Sequence, residues 1–189
     1  MTILAFAASL RRESFNKKLL NLAVEIARDA GATVDLAEFH EFDMPLYNGG
    51  IEAEHGLPPG AQELVRRITA ADGIMIAAPE YNYSISGALK NAIDWASRAK
   101  PNPFRGRHGL VMSASTSVVG GIRGLWQLRI PLEGAGVLLY PDMYALASAQ
   151  KAFDEQGRLT DPPHVARLDG TVRGYVNMAK KLRSDTLPT

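Results

Sequence analysis

The sequence predicts an α/β fold: a parallel β-sheet covered by helices on both faces. Two observations carry this expectation. Five short apolar stretches alternate with longer stretches whose apolar residues recur every three or four positions. Several of the short stretches run without a polar interruption, as strands buried on both faces do. The length agrees: 189 residues, at about 150 residues per domain, gives one domain spanning 1–189. Apolar residues at 46% and charged residues at 22% are ordinary for a folded globule and argue against disorder.

The elements follow in order. Residues 3–8, Ile-Leu-Ala-Phe-Ala-Ala, read as the first buried strand. Leu19, Leu22, Ala23, Ile26, Ala27 and Ala30 then mark one face of a helix, with Lys17, Lys18, Glu25, Arg28 and Asp29 opposite and Gly31 as its stop. Residues 33–36 form a second, shorter strand. The polar stretch 38–59, with Asp43, Pro45, Asn48, Gly49 and Gly50 as turn residues, reads as a long loop, of the length usually kept for function or mobility. Leu64, Val65 and Ile68 give a second helical stripe, and Asp72–Gly73 turns into a third strand at 74–78. Leu89, Ala92, Ile93 and Ala96 mark a third helix, closed by Pro101 and Pro103. A fourth strand at 109–112, a helix through Ile122, Leu125, Leu128 and Leu132 kinked at Pro131, and a fifth strand at 137–140 follow. Leu168, Val172, Tyr175, Val176 and Ala179 make a closing helix.

Composition excludes several kinds of chemistry. There is no cysteine, so a disulfide scaffold, a thiolate zinc site, an iron–sulfur cluster and a Cys nucleophile are all ruled out. Redox chemistry would need a bound cofactor. Lys plus Arg number 21 against 20 Asp plus Glu, and a net charge of +1 sets up no field for nucleic acid. The N-terminal apolar stretch has its arginines after it rather than before, unlike a signal peptide. No apolar run approaches the ~20 residues of a membrane span. The expectation is a cytoplasmic protein without membrane or nucleic-acid partners. His40, His55, His108 and His164 are scattered, which predicts surface or structural roles and no metal. Ser113, Ser115 and Ser117 lack the G-x-S-x-G of a hydrolase elbow. Trp95 and Trp126 fall on helical segments, where core or subunit-interface packing is expected.

Ligands of parallel α/β sheets bind at the carboxyl ends of the strands, so the loops after strands one, three and four matter most. The first reads Ser9-Leu10-Arg11-Arg12-Glu13-Ser14-Phe15-Asn16 and leads into a helix. Hydroxyls, an amide and guanidinium groups at a helix N-terminus suit a phosphate. They suit plain helix capping by Ser14 or Asn16 equally well, with the arginines solvated. Neither G-x-G-x-x-G nor a P-loop is present, so a dinucleotide pyrophosphate is disfavoured. A terminal monophosphate held by side chains needs no such glycines, which points to a mononucleotide such as FMN. The second loop, Pro79-Glu80-Tyr81-Asn82-Tyr83-Ser84-Ile85-Ser86-Gly87, offers aromatic surfaces and amide groups to a flat ring such as isoalloxazine. It is also what an ordinary loop packed on its helix would look like.

The stretch from Pro79-Glu80-Tyr81-Asn82-Tyr83 through Gly87-Ala88-Leu89-Lys90-Asn91-Ala92-Ile93-Asp94-Trp95 resembles the signature of the NADPH-dependent FMN reductase family, in particular its quinone and chromate reductase branch. Ser9-Leu10-Arg11 with Ser14-Phe15-Asn16 is similar to that family's phosphate loop, and residues 115–123, ending Gly120-Gly121-Ile122-Arg123, to its third flavin loop. The resemblance implies a flavodoxin-like three-layer fold, with a five-stranded parallel sheet in the order 2-1-3-4-5, and non-covalent FMN. It implies that Ser9, Arg11, Ser14, Phe15 (through its backbone) and Asn16 hold the phosphate. Pro79, Glu80, Tyr81, Asn82 and Tyr83 would wrap the ring, and Ser115, Gly120 and Gly121 would line its far side. Two positions depart from the family pattern: Ala8 replaces the usual Gly, and the Pro common after the third-loop Ser is missing.

The function this resemblance implies is two-electron transfer from NADPH or NADH through FMN to quinones or similar flat acceptors, chromate included. Donor and acceptor would use one face in turn, which predicts ping-pong kinetics, and no protein acid or base is assigned. Arg105, Arg107 and Arg123 are candidates for a 2′-phosphate contact. A homodimer or homotetramer is implied, with the 38–59 loop helping to close a site near the interface. The competing readings are a flavin reductase that passes reduced FMN to a partner, a non-enzymatic electron carrier, and a fold relative without flavin.

Overall fold

The computed structural model describes residues 1–184. Its element order is β1 (Thr2–Ala7), α1 (Phe15–Asp29), β2 (Thr33–Ala37), a 3-10 turn (Phe39–Phe42), α2 (Gly49–His55), α3 (Pro59–Ala70), β3 (Gly73–Ala77), β4 (Glu80–Tyr81), β5 (Ser84–Ile85), α4 (Gly87–Ala96), β6 (His108–Ala114), α5 (Ile122–Gly134), β7 (Leu138–Leu139), β8 (Tyr144–Leu146), α6 (Ala149–Ala152) and α7 (Pro162–Ser184).

The sheet is parallel, in the order β2-β1-β3-β6-β7, with β8 also on β6. Its middle strands are the uninterrupted apolar runs: Ile3 pairs in register with Gly73 and Phe6 with Ile76, and every residue of β3 is buried. Successive side chains point to opposite faces, so both faces are apolar and both need cover. On one face, Ile3, Ala5, Met75, Leu110 and Met112 pack under α1 and α7, through Leu19, Leu20, Ala23, Val172 and Val176. On the other, Leu4, Phe6, Ile74, Ile76 and Val111 pack under α3, α4 and α5, through Leu64, Ile68, Leu89, Ile93 and Leu128. Among the described residues no helix is long and apolar enough to cross a membrane.

Three details differ from the sequence reading. The fifth strand position is filled by two pieces. β7 pairs with the start of β6 (His108↔Leu138), β8 with its end (Met112↔Tyr144), and both run parallel to it. Pro141 has no N–H to offer the ladder, so the chain leaves the sheet after Tyr140, whose N–H still reaches Gly109 O at 2.7 Å, and re-enters at Tyr144. The stretch 38–59 is partly helical, and Phe39 and Phe42 are buried against Phe6, with ring centroids 5.8 and 5.7 Å away. That stretch is also pinned to α4: Asn91 Nδ2 and Trp95 Nε1 donate to Pro45 O at 2.9 and 2.8 Å, and Tyr47 N donates to Asn91 Oδ1 at 2.7 Å. The third difference is the β4–β5 hairpin, where the sequence predicts a loop.

Candidate functional site

The loops after β1, β3 and β6 converge on one cleft of about 130 Å³ at the carboxyl edge of the sheet. Ser9, Arg11, Ser14, Phe15 and Asn16 line it from the first loop, Pro79, Glu80 and Tyr81 from the second, and Ser115 from the third. Asn82, Tyr83, Gly120 and Gly121 do not line it. Ala114 and Thr116 do, and sequence reasoning passed over them although they flank Ser115 directly.

Ser14 is the N-cap of α1, with extended backbone (φ −93, ψ 126). Its carbonyl accepts from the N–H groups of Lys17 and Lys18 at 3.1 and 3.2 Å, yet its hydroxyl makes no capping bond. A buried serine hydroxyl at a helix start would ordinarily satisfy one of the free N–H groups there. Here hydroxyl and N–H groups are left facing the cleft together. Arg11 is exposed and forms no ion pair among the described residues. A cation without a carboxylate, a spare hydroxyl and a helix N-terminus within one cleft fit the three oxygens of a phosphomonoester. FMN carries such a group.

Asn16 does something different with its side chain. Its Nδ2 donates to Ala114 O at 3.0 Å and its Oδ1 accepts from Ala114 N at 3.0 Å. This buried two-way bond locks the first turn of α1 to the end of β6, so the first and third loops are held in fixed relation.

The second loop is the β4–β5 hairpin, with Asn82 and Tyr83 as its central residues. Both have positive φ, 49 and 67. Two successive left-handed residues make the turn that matches the twist of a tight antiparallel pair, a conformation Asn tolerates and Tyr adopts at a cost. The ring of Tyr83 meets Arg123, whose guanidinium carbon lies 4.2 Å from the ring centroid. Arg123 in turn holds Glu80: Nε to Oε1 at 2.9 Å and Nη2 to Oε1 at 2.7 Å. The other oxygen of Glu80 accepts from Gly124 N at 3.0 Å, at the start of α5. Only 7% of the Glu80 side chain is exposed. Its carboxylate is therefore a tether between hairpin and helix. Tyr81 and Tyr83 project outward, 47% and 69% exposed.

The third loop depends on its glycines for backbone reasons. Gly120 and Gly121 have φ of 64 and 85, and a Cβ on Gly121 would collide with Ser113 Oγ. Ser115 lines the cleft, held by its own N–H donating to Leu146 O and its carbonyl accepting from Ala149 N, both at 3.0 Å, and its Oγ accepts from Ser117 N at 3.2 Å.

The three arginines considered for a 2′-phosphate are placed elsewhere or occupied. Arg107 donates to Ala71 O at 2.7 Å and Pro103 O at 3.2 Å, at the sheet edge where β3 and β6 begin. Arg105 lies at that same edge, against Gly136. Arg123 is neutralised by Glu80. Trp95 is fully buried, as a core tryptophan, whereas Trp126 is 55% exposed.

A parallel 2-1-3-4-5 sheet with an anion-ready helix N-terminus at its carboxyl edge defines the flavodoxin-like class. The sequence profile of the NADPH-dependent FMN reductases matches residues 1–151. An NAD(P)H-dependent FMN reductase of Pseudomonas aeruginosa is 40% identical over 161 residues, 84% of each chain. A quinone reductase of Escherichia coli is 30% identical over 188 residues, 97% of each chain. The solved structure of FerB, a flavoenzyme NAD(P)H:acceptor oxidoreductase of Paracoccus denitrificans, superposes with a TM-score of 0.82 at 30% identity, covering 95% of this chain and 97% of that one. This chain belongs to the NADPH-dependent FMN reductase family and is an FMN- and NAD(P)H-dependent oxidoreductase.

Proposed function

We propose that the chain is an NAD(P)H:quinone oxidoreductase working through FMN in the cleft described above. The observation that carries the cofactor site is Ser14, whose hydroxyl makes no capping bond, beside Arg11, which has no ion pair among the described residues, at the start of α1. Ser9, Arg11, Ser14 and the first N–H groups of α1 hold the phosphate. Asn16 acts by fixing those groups against β6 rather than through its amide. Pro79 and Tyr81 flank the ring, Asn82 and Tyr83 shape the hairpin beside it, Ser115 with Thr116 covers the far side, and Gly120 and Gly121 make the left-handed turn that leads from that loop into α5. Bound FMN supplies two-electron transfer between NAD(P)H and a flat acceptor.

The chain adds orientation and access rather than proton transfer. Glu80, the carboxylate nearest the ring site, is held by Arg123 and Gly124 and stands as a tether, not a base. Tyr81 leaves an exposed aromatic edge at the cleft, a surface on which a nicotinamide and then a quinone can lie in turn. Quinone names among the relatives support that acceptor. We place the chain in a homodimer or homotetramer on the strength of α5, where Trp126 and Ile130 lie one turn apart and are 55% and 65% exposed. A single domain then carries both half-reactions. The test is steady-state kinetics with NADPH and a short benzoquinone: parallel double-reciprocal lines support alternating use of one site, and intersecting lines count against it.

A further inference from the structure

The cleft does not end at its outer rim. Past Arg11 and Tyr81 a second hollow of about 270 Å³ opens between the first loop and the start of α4, with Ala8 in its floor and Leu10 and Ala88 on its walls. Through Leu10 and Ala88 it continues into a third hollow of about 170 Å³, against Phe42 and Met44. The three share residues end to end and make one trough from the cofactor cleft to the 38–59 segment.

The chemistry of the trough changes along its length. The cleft end carries hydroxyls and a guanidinium. Arg11, Ser9 and Ser86 line the second hollow, beside Ala8, Leu10, Tyr81 and Ala88; the third is walled mostly by Leu10, Ala88, Phe39, Phe42 and Met44, with His40 and Asp43 as its polar residues. A pyrophosphate lying past Arg11 would meet no Lys or Arg among the lining residues of the third hollow and would face Asp43, so the adenylate half of NAD(P)H gains little from this path. A hydrocarbon chain gains wherever it removes apolar surface from water. Leu10 is 71% exposed, and Ala88 is exposed beside it, so there is apolar surface to cover. The far floor is preformed, because Phe39 and Phe42 are wedged against Phe6.

We infer that this trough seats an aliphatic side chain on the electron acceptor, so that the substrate class is a quinone substituted with a prenyl or alkyl chain. This rests on the quinone reading and deepens it. The head lies in the cleft, and the tail crosses Leu10 and Ala88 toward Met44. The net reaction balances as quinone + NAD(P)H + H⁺ → quinol + NAD(P)⁺, and the tail is chemically unchanged. Because tail binding is equal in ground and transition states, it lowers KM and leaves kcat alone.

The test compares one methoxy-substituted benzoquinone with and without a decyl chain, on the FMN-loaded enzyme. A buried methylene is worth about 0.8 kcal/mol, and an open trough captures only part of a chain, so the expected drop in KM is on the order of ten- to a hundredfold, with kcat changing less than about twofold. Calorimetry of both compounds with the oxidised enzyme, without NAD(P)H, should show the same affinity ratio. Leu10→Ser and Met44→Glu should bring that ratio down toward one. Taking the ratio within each variant cancels changes in flavin content. Equal KM and equal calorimetric affinity for the two compounds, or a tail advantage untouched in both variants, would overturn the trough assignment; a partner subunit filling the trough would give the first of these results. Absence of turnover with both compounds would overturn the quinone reading itself.

Discussion

Ser14 separates two readings that are identical in sequence. A serine before an amphipathic run is the ordinary mark of a helix cap, and only the fold shows that its hydroxyl is unspent while its carbonyl carries the turn. Removing an ordinary N-cap hydroxyl costs about 1 kcal/mol of stability. Ser14→Ala should cost less than about 0.5 kcal/mol in denaturant unfolding of the FMN-free protein, because there is no cap bond to lose. It should still weaken FMN binding by roughly tenfold, as loss of one bond to a charged phosphate oxygen. Arg11→Ala should weaken FMN binding by about ten- to a hundredfold on the same grounds, read by equilibrium dialysis; unchanged affinity would remove Arg11 from the phosphate site. Glu80 shows where sequence reasoning stops. It stands inside the flavin signature and reads as a ring contact, yet its partners, Arg123 and Gly124, are more than forty positions away. Glu80→Ala should strand Arg123 and free the start of α5, costing about 2 kcal/mol and lowering Tm by several degrees.

Whole elements were legible where the physics is local. Strand runs such as 3–8 and 74–78 carry their own pattern, and the stripe on α1 needs only a helical period. The hairpin at 80–85 was not legible, because its two strands are two residues each and its turn places Tyr at positive φ, where propensity would not put it. The split of the fifth strand was not legible, because only pairing with both ends of β6 shows that the chain leaves the sheet at Pro141 and returns. The 38–59 segment reads as polar and loose, and its order comes from distant partners: Phe6 beneath, Asn91 and Trp95 beside. That gives Asn91 and Trp95, two residues of the family signature, a structural task outside the lining of the cleft. Asn91→Ala should remove the bonds to Pro45 and Tyr47 and speed proteolytic cleavage within 45–58, with a global stability loss of about 1–2 kcal/mol. Cleavage at the parental rate would show that the clamp does not order this segment.

At the scale of the molecule, the buried titratable groups bound the pH range of stability. Burial of His108, the largest influence on it, pushes its imidazole below the usual 6.5. As pH falls through the ordinary histidine range the unfolded chain takes up a proton that the folded one refuses, so stability declines on the acid side. Burial raises the Tyr144 hydroxyl from 10.0 to about 12, and raises Tyr175 as well. Between pH 10 and about 12 the unfolded chain loses protons that the folded chain keeps, so stability that is full below 10 falls away across that window. Denaturant midpoints should therefore fall at both ends, and Tyr144→Phe should flatten part of the alkaline limb. The proposed homo-oligomer belongs to the same scale: if α5 carries its interface, Trp126→Glu should lower the size-exclusion mass toward that of one chain, and an unchanged mass would remove Trp126 from that role.

The central claim, that a chain without a thiol performs redox chemistry by holding FMN in three loops, is tested most directly by visible spectroscopy under anaerobic conditions. The purified protein mixed with FMN and desalted should stay yellow, bleach on addition of NADPH, and regain its colour when a quinone is added, with the flavin still bound throughout. A protein that retains no FMN, or one that bleaches and is not reoxidised by quinone, would contradict it.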